Sequence, residues 1–161
     1  MLARPETEAE IVALLEEYTG CTVVLANQTS PMPEYPYISY TITTPVHAQG
    51  GTYCITDGEY YLPMLQTWSF TVQSGDYNEC MKKGMRMYDF FARGGIEKLQ
   101  KINVAVSSKT NLTSRDNFLT IRYEYRCGMD VVFRLPHIVE MTDGEIKNEL
   151  MHISMNGKEV N

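Results

Sequence analysis

The sequence predicts an α+β fold: one domain over residues 1–161, built as a mainly antiparallel β-sheet with two amphipathic helices packed on one face. Three observations predict it. The elements read as α-β-β-β-α-β-β, without the regular βαβ alternation of a parallel sheet. Trp68, Phe70 and Val72 alternate with Ser69, Thr71 and Gln73, the period of a half-buried strand. Two other stretches repeat apolar residues at helical spacing, Ile11 to Tyr18 and Cys80 to Phe91.

The first helix has Ile11, Leu14, Leu15 and Tyr18 on one face and Glu8, Glu16 and Glu17 left for solvent. Thr7 and Glu10 have capping-box spacing with Pro5 just upstream, and Gly20 is a natural stop. Cys21 to Ala26 reads as a strand. Pro31, Pro33 and Pro36 make residues 30–36 an extended connection. Tyr37 to Thr43 reads as a second strand, with Tyr37, Ser39 and Thr41 opposite Ile38, Tyr40 and Ile42; the pattern does not decide which face is buried. Residues 44–58, with Pro45, Gly50, Gly51 and Gly58, read as a long, mobile loop or hairpin arm.

Tyr60 to Gln73 reads as a long strand, with Pro63 interrupting it near its start or marking an edge. Asp76, followed by Glu79, is the expected N-cap of the second helix. On that helix Met81, Met85 and Tyr88 form one stripe and Cys80, Gly84, Met87 and Phe91 a second. Gly84 is expected to permit close approach to the sheet, and Arg93-Gly94-Gly95 to end the helix. Ile102 to Val106 reads as a short strand and Phe118 to Leu135 as the longest one. Gly128-Met129-Asp130 is expected to bend or bulge it, and Pro136 to break it. Residues 137–161 form a C-terminal extension in which Ile146 to Met155 fits a helical turn or a strand. The expected core is Trp68, Phe70, Val72, Leu119, Ile121 and Tyr123 with Met81, Met85 and Tyr88 from the helix.

Hydrophobic residues are 43% of the chain and charged residues 21%, enough for a sizeable core. Fourteen basic against twenty acidic residues leave a net charge of −6. That balance argues against a free-standing nucleic-acid binder, though not against a protein that surrounds DNA without gripping it. No apolar run approaches the ~18 residues of a membrane span. The N-terminal residues lack a signal-peptide core, so Cys21, Cys54, Cys80 and Cys127 read as reduced, semi-buried thiols. They form no CxxC pair.

Catalytic signatures are missing. His47, His137 and His152 are isolated, and the chain has no GxSxG elbow, phosphate loop or dinucleotide fingerprint. Neither a cofactor nor a metal is implied. Cys80, near a helix N-terminus, is the best candidate thiol, but it sits on an apolar stripe and reads as core. Asp57 and Glu59 are an acid pair without a defined partner. Arg122, Glu124 and Arg126 form a charged row along one strand face. Such a row is either a solvated surface or an interface where opposite charges on neighbouring subunits pair. Eleven tyrosines supply apolar area with polar tips, which suits both sheet packing and interfaces.

Several strings in fixed order are similar to a known family. They are the short N-terminal helix, Pro31-Met32-Pro33-Glu34-Tyr35-Pro36-Tyr37-Ile38-Ser39-Tyr40, and Trp68-Ser69-Phe70-Thr71-Val72-Gln73-Ser74 followed by an amphipathic helix. The last is Arg122-Tyr123-Glu124-Tyr125-Arg126-Cys127-Gly128-Met129-Asp130-Val131-Val132-Phe133-Arg134. Over roughly residues 8–140 the chain resembles the neck or tail terminator proteins at the head–tail junction of tailed phages and prophages. The resemblance implies a non-enzymatic virion protein, assembled in the bacterial cytoplasm, whose α+β subunits form a six-fold ring. That ring, a homohexamer, caps the tail tube protein, ends tube growth and offers a docking surface to the head connector or stopper protein. DNA passes through its channel, and no membrane is involved. The resemblance implies ring and tube contacts in 44–58 and after Pro136. With the charged row, this gives Arg122, Glu124, Arg126, His47 and Asp57 as candidate subunit-interface residues. The alternatives are a head-completion or stopper ring of the same region, and a small soluble enzyme using Cys80 or the Asp57/Glu59 loop.

Overall fold

A computed structural model of the chain describes residues 5–48, 54–56, 59–118 and 123–139. The elements are α1 (Pro5–Thr19), β1 (Thr22–Leu25), β2 (Tyr37–Ala48), β3 (Cys54–Thr56), β4 (Glu59–Ser74) and α2 (Tyr77–Asp89). A π-helical turn (Phe90–Gly94) follows, then α3 (Ile96–Lys101), β5 (Ala105–Lys109), β6 (Thr113–Ser114), β7 (Asn117–Phe118) and β8 (Tyr123–Val139). The sheet order is β1-β2-β4-β8-β5, with β3 on β4 and β6 and β7 on β8. Every pairing is antiparallel except β1 with β2, so the architecture is the α+β one predicted, with one parallel edge.

Helix α1 starts at Pro5, two residues earlier than expected. Proline suits a first turn, where its missing N–H would be unpaired anyway. Thr7 and Glu10 therefore lie inside the helix and form no capping box. The helix ends at Gly20, which takes the left-handed conformation (φ 66°). Two cations from α2 complete that end. Lys83 Nζ donates to Thr19 O at 2.8 Å and Arg86 Nε to Tyr18 O at 2.6 Å. These carbonyls lack helical partners and carry the negative end of the helix dipole, so the contacts also tie α1 to α2.

Strands β4 and β8 pair without a register shift from Tyr60↔Val139 to Ser74↔Tyr125. Rows Val72↔Cys127, Phe70↔Met129 and Trp68↔Val131 point towards the helices and are all buried. Ile38 and Tyr40 of β2 join them, which settles the inward face of that strand. The aromatic rings interlock: Phe70 and Phe91 centroids lie 4.9 Å apart, and Phe133 meets Trp68 edge-on at 5.4 Å.

Helix α2 lies on this layer. Its start is as expected, with Asp76 Oδ1 accepting from the Glu79 N–H at 2.8 Å. Cys80, Gly84 and Met87 face the sheet, Met81 and Tyr88 flank them, and Met85 is 51% exposed, so it is not core. A stripe one residue on is rotated by about 100°, which carries Met85 over the shoulder of the helix. At Gly84 a Cβ would stand 2.3 Å from Cys127 Sγ, so glycine does permit the close approach. The helical run ends at 93–95 as expected: a π turn closes it at Gly94 with Gly95 as its C-cap, and a separate third helix, α3, follows at once, its Leu99 buried in the same core.

Other expectations change. The strand expected at 102–106 is β5, three residues later. The strand expected from Phe118 is two strands, with β7 pairing back on the start of β8. Tyr123 is 44% exposed, so it is not core; Leu119 and Ile121 lie outside the described residues. Gly128 makes no bulge, because the β4–β8 register runs straight through it. Neither Pro63 nor Pro136 breaks the sheet; they face each other across it. At the same-facing residues Arg126 and Asp130, the backbone N–H bonds away from β4, to Asp116 Oδ1 and Thr110 Oγ1. Rungs of this parity exchange no hydrogen bond between β4 and β8, so two prolines there forfeit none. Within 44–58 the described parts are strand, the end of β2 and all of β3. His137 to Val139 belong to β8; the proposed element at 146–155 lies outside the described residues.

Replacing Gly84 by Ala sets two effects against each other. Alanine favours a helix by about 1 kcal/mol, while overpacking a tight contact costs about 1–3 kcal/mol. The contact is with a wedged sulfur, so Gly84→Ala should lower stability by about 1 kcal/mol net. In a Cys127→Ala background the clash is gone, and the same change should be neutral or stabilising. Urea unfolding of the four proteins in a double-mutant cycle checks both.

Candidate functional site

The face of the sheet away from the helices is a grid of polar side chains set by the register. Its rows across β2, β4 and β8 are Tyr37–Gln73–Arg126, Ser39–Thr71–Gly128 and Thr41–Ser69–Asp130. The β2 and β4 members of these rows, with Glu124 and Arg126 of β8 and Met32 and Tyr35 from the β1–β2 connection, line an open groove of about 490 Å³. Gln73 Nε2 donates to Ser39 Oγ at 2.8 Å, and the rings of Tyr35 and Tyr37 stack at 5.7 Å.

Glu124 and Arg126 are brought together here. Arg126 Nε donates to Glu124 Oε1 at 3.0 Å and its Nη2 to Oε2 at 3.2 Å, a two-pronged pair between alternate residues of one strand. Glu124 is only 4% exposed, so its charge is neutralised within the subunit. Burial, and then the nearby Glu124 charge, raise the Tyr37 hydroxyl above its ordinary pKa. His47 lies on the exposed end of β2, its register partner Leu65 facing Arg134 in turn. Arg122 and Asp57 lie outside the described residues, so the full charged row and the Asp57/Glu59 pair do not come into view. Cys80 is core as expected: its sulfur lies against Cys127 Sγ and the carbonyls of Val72 and Tyr125.

Sequence reasoning missed Arg115. Its guanidinium lies over Gly128, donating to Ser69 Oγ at 2.8 Å, Thr71 Oγ1 at 3.0 Å and Asp130 Oδ1 at 3.0 Å. A Cβ on residue 128 would stand 2.5 Å from Phe70 O and 2.8 Å from Arg115 Nη1, so glycine is required. The signal was present: glycine inside a strand marks either a bulge or a close approach, and here it is the approach.

A second surface lies between the end of α3 and the strands β4 and β8. Tyr61, Pro63, Val104, Leu135 and Pro136 line an open, largely apolar groove of about 660 Å³. On β2, Val46 is 55% exposed. Among the described residues no group of three or more His, Cys, Asp or Glu side chains is placed to hold a metal. No described helix is long and apolar enough to cross a membrane.

The family described as phage neck terminator protein matches residues 9–158 of this chain. No curated protein matches it. Among solved structures, a chain of the "Virion of native gene transfer agent (GTA) particle" aligns at 10% identity with a TM-score of 0.40, covering 81% of this chain and 92% of that one.

The Asp130 carboxyl gives the polar face a pH signature. Burial alone would raise its pKa, but hydrogen bonds with Ser69 and Arg115 outweigh that and hold it below the ordinary value. A depressed native pKa means its contribution is complete above the unfolded value of about 3.9 and is lost as pH falls through the native one. The stability advantage of the wild type over Asp130→Asn should therefore be present at neutral pH and shrink below about pH 4. The Arg115 and Asp130 side chains are 31% and 40% exposed, so the advantage is small and salt-sensitive. Urea unfolding of both proteins across the acid range measures it.

Proposed function

The chain belongs to the phage neck terminator family, and from that premise we propose that it forms a homohexameric ring that caps the tail tube. The ring ends tube polymerisation, provides the docking surface for the head connector or stopper protein, and lets DNA pass through its channel. One observation carries this reading: the family match runs over residues 9–158, taking in sheet, helices and strand ends together. The charge balance is compatible with it, since a net charge of −6 favours passage of DNA over retention. On this reading the protein resides in the virion at the head–tail junction, after assembly in the host cytoplasm, and does no chemistry of its own.

We assign the ring and tube contacts to the arm of residues 44–58 and to the face that carries Glu124 and Arg126, with His47, Asp57 and Arg122 as further interface candidates. Because Glu124 and Arg126 already pair with each other, their part at an interface is shape and hydrogen bonding more than long-range attraction. Symmetry multiplies each such contact around the ring.

Two measurements test the reading. Native mass measurement of the purified protein should give a hexamer, or a monomer that closes into one on the tube. Virion images with the subunit labelled should place it against the tube end; a label at the portal would make it a stopper instead. Deleting Val46 to Asp57 with a short turn in place leaves the inward residues Ile38, Tyr40 and Ile42 intact. It should preserve the circular-dichroism spectrum while giving tails of uncontrolled length or tails that fail to join heads. Normal tails and full infectivity would remove the arm from the proposal.

A further inference from the structure

The thiols of Cys80 and Cys127 are two nucleophilic groups in contact that the assembly role leaves unused. Their sulfurs are 3.6 Å apart, between the first turn of α2 and the central strand β8. Cys80 Sγ also lies 3.4 Å from Tyr125 O, and Cys127 Sγ 3.4 Å from Cys80 O, so both point into one recess. Gly84 keeps that recess open, since a Cβ there would collide with Cys127 Sγ. Both residues are about as buried as a side chain can be, at 2% and 1% exposure. Cys21, the other described free thiol, has its sulfur against Thr19 O and is not part of this pair.

We propose that Cys80 and Cys127 are a redox site that closes to a disulfide within the folded subunit, with a low-molecular-weight disulfide as the oxidant. A disulfide needs about 2.05 Å between sulfurs, so the pair must close by about 1.5 Å, a shift on the scale of side-chain rotation. One protein thiolate attacks a sulfur of the small disulfide, forming a mixed disulfide and releasing one small thiolate. The second protein thiolate then attacks the protein sulfur of that mixed disulfide and expels the other small thiolate. The two protein protons end on the two released thiols; the protein pair is oxidised and the small disulfide reduced.

The order of attack follows from the hydrogen bond the two thiols share. That bond pulls the Cys80 thiol below its ordinary pKa; the same bond, with burial, pushes Cys127 above its own. Cys80 also lies on the turn that opens to admit reagent, so it is the first nucleophile, and Cys127, held on β8, is the resolving thiol. Reagent reaches them by opening of the first turn of α2, where neighbouring Tyr77 is 54% exposed. The link would staple α2 to the sheet across a sequence separation of 47. Its timing alone rests on the virion reading: thiols kept reduced in a bacterial cytoplasm meet oxidants once a particle is released.

The test uses the full-length purified chain, incubated natively with oxidised glutathione and compared with a dithiothreitol-reduced control. The expected product has lost about 2 Da, yields one cross-linked peptide joining Cys80 to Cys127, and melts roughly 5–15 °C higher than the control. Cys80→Ser and Cys127→Ser should each fail to lose that mass; Cys127→Ser should stop at a glutathione adduct on Cys80. The proposal is overturned if both thiols still alkylate fully in denaturant after oxidation. It is equally overturned if the link forms only in urea, or if it joins Cys21 or Cys54 instead. The readouts are masses of an isolated chain, so they stand or fall separately from ring assembly.

Discussion

The unbroken pairing of β4 with β8 is the constraint on which the rest of the structure depends. A strand's side chains alternate, so a single slip would exchange the faces of everything it carries. With the register held from Tyr60↔Val139 to Ser74↔Tyr125, Phe70, Trp68 and Phe133 are committed to the helices, and Ser69, Thr71 and Asp130 to the opposite face. The hydrophobic layer and the polar grid are therefore two consequences of one alignment. The paired prolines show how tightly it is kept: Pro63 and Pro136 meet in a rung that asks no hydrogen bond of either across the β4–β8 ladder.

Strand β8 is pressed from both faces at Cys127 and Gly128, adjacent residues that face opposite ways. On one side α2 comes down at Gly84 until the Cys127 sulfur fills the space a side chain would need. On the other, Arg115 lies flat over Gly128 and binds Ser69, Thr71 and Asp130. Two glycines, one on a helix and one on a strand, thus let a helix and a guanidinium press on β8 from both sides. Each glycine carries an entropic cost of about 0.5–1 kcal/mol, offset by the contacts its missing Cβ allows. Arg115 loses part of its hydration but gains three acceptors, one of them charged, which keeps the arrangement balanced.

Much of this was legible in the sequence because it rests on local periodicity. The alternation from Trp68 to Val72, the Asp76 cap, the Gly20 stop and the role of Gly84 each follow from a few neighbouring residues. What was not legible depends on partners distant in the chain. Nothing near Phe90 announces a π turn and a third helix; Phe90 and Phe91 are both buried, and continuing the helix through them keeps them in the core. Reading Gly128 as a bulge was reasonable locally, and was overturned by an arginine thirteen residues earlier whose destination no pattern specifies. Helical spacing assigns Met85 to the core and strand parity assigns Tyr123, but both sit at the margin of the covered area, where the spacing still holds and burial does not. The candidate interface residues were the least legible: Glu124 and Arg126 satisfy each other, a pairing that strand spacing permits but does not require.

That internal pairing bears on how a subunit of this family would recognise its neighbours. A charge on an open face seeks a partner at long range and loses that reach in salt. Here the Glu124 carboxylate is buried and held at both oxygens, and the Asp130 carboxylate is held by Arg115. The face therefore presents a locked pattern of hydroxyls, amides and stacked tyrosines, whose match to another surface depends on shape at short range. The groove at Pro63 and Pro136 offers the complementary property, apolar area, and Val46 on β2 adds an exposed apolar side chain. Association through such surfaces gains from burial and little from attraction at a distance. A ring of the proposed kind, built this way, would discriminate by fit and close only when all its contacts can form together.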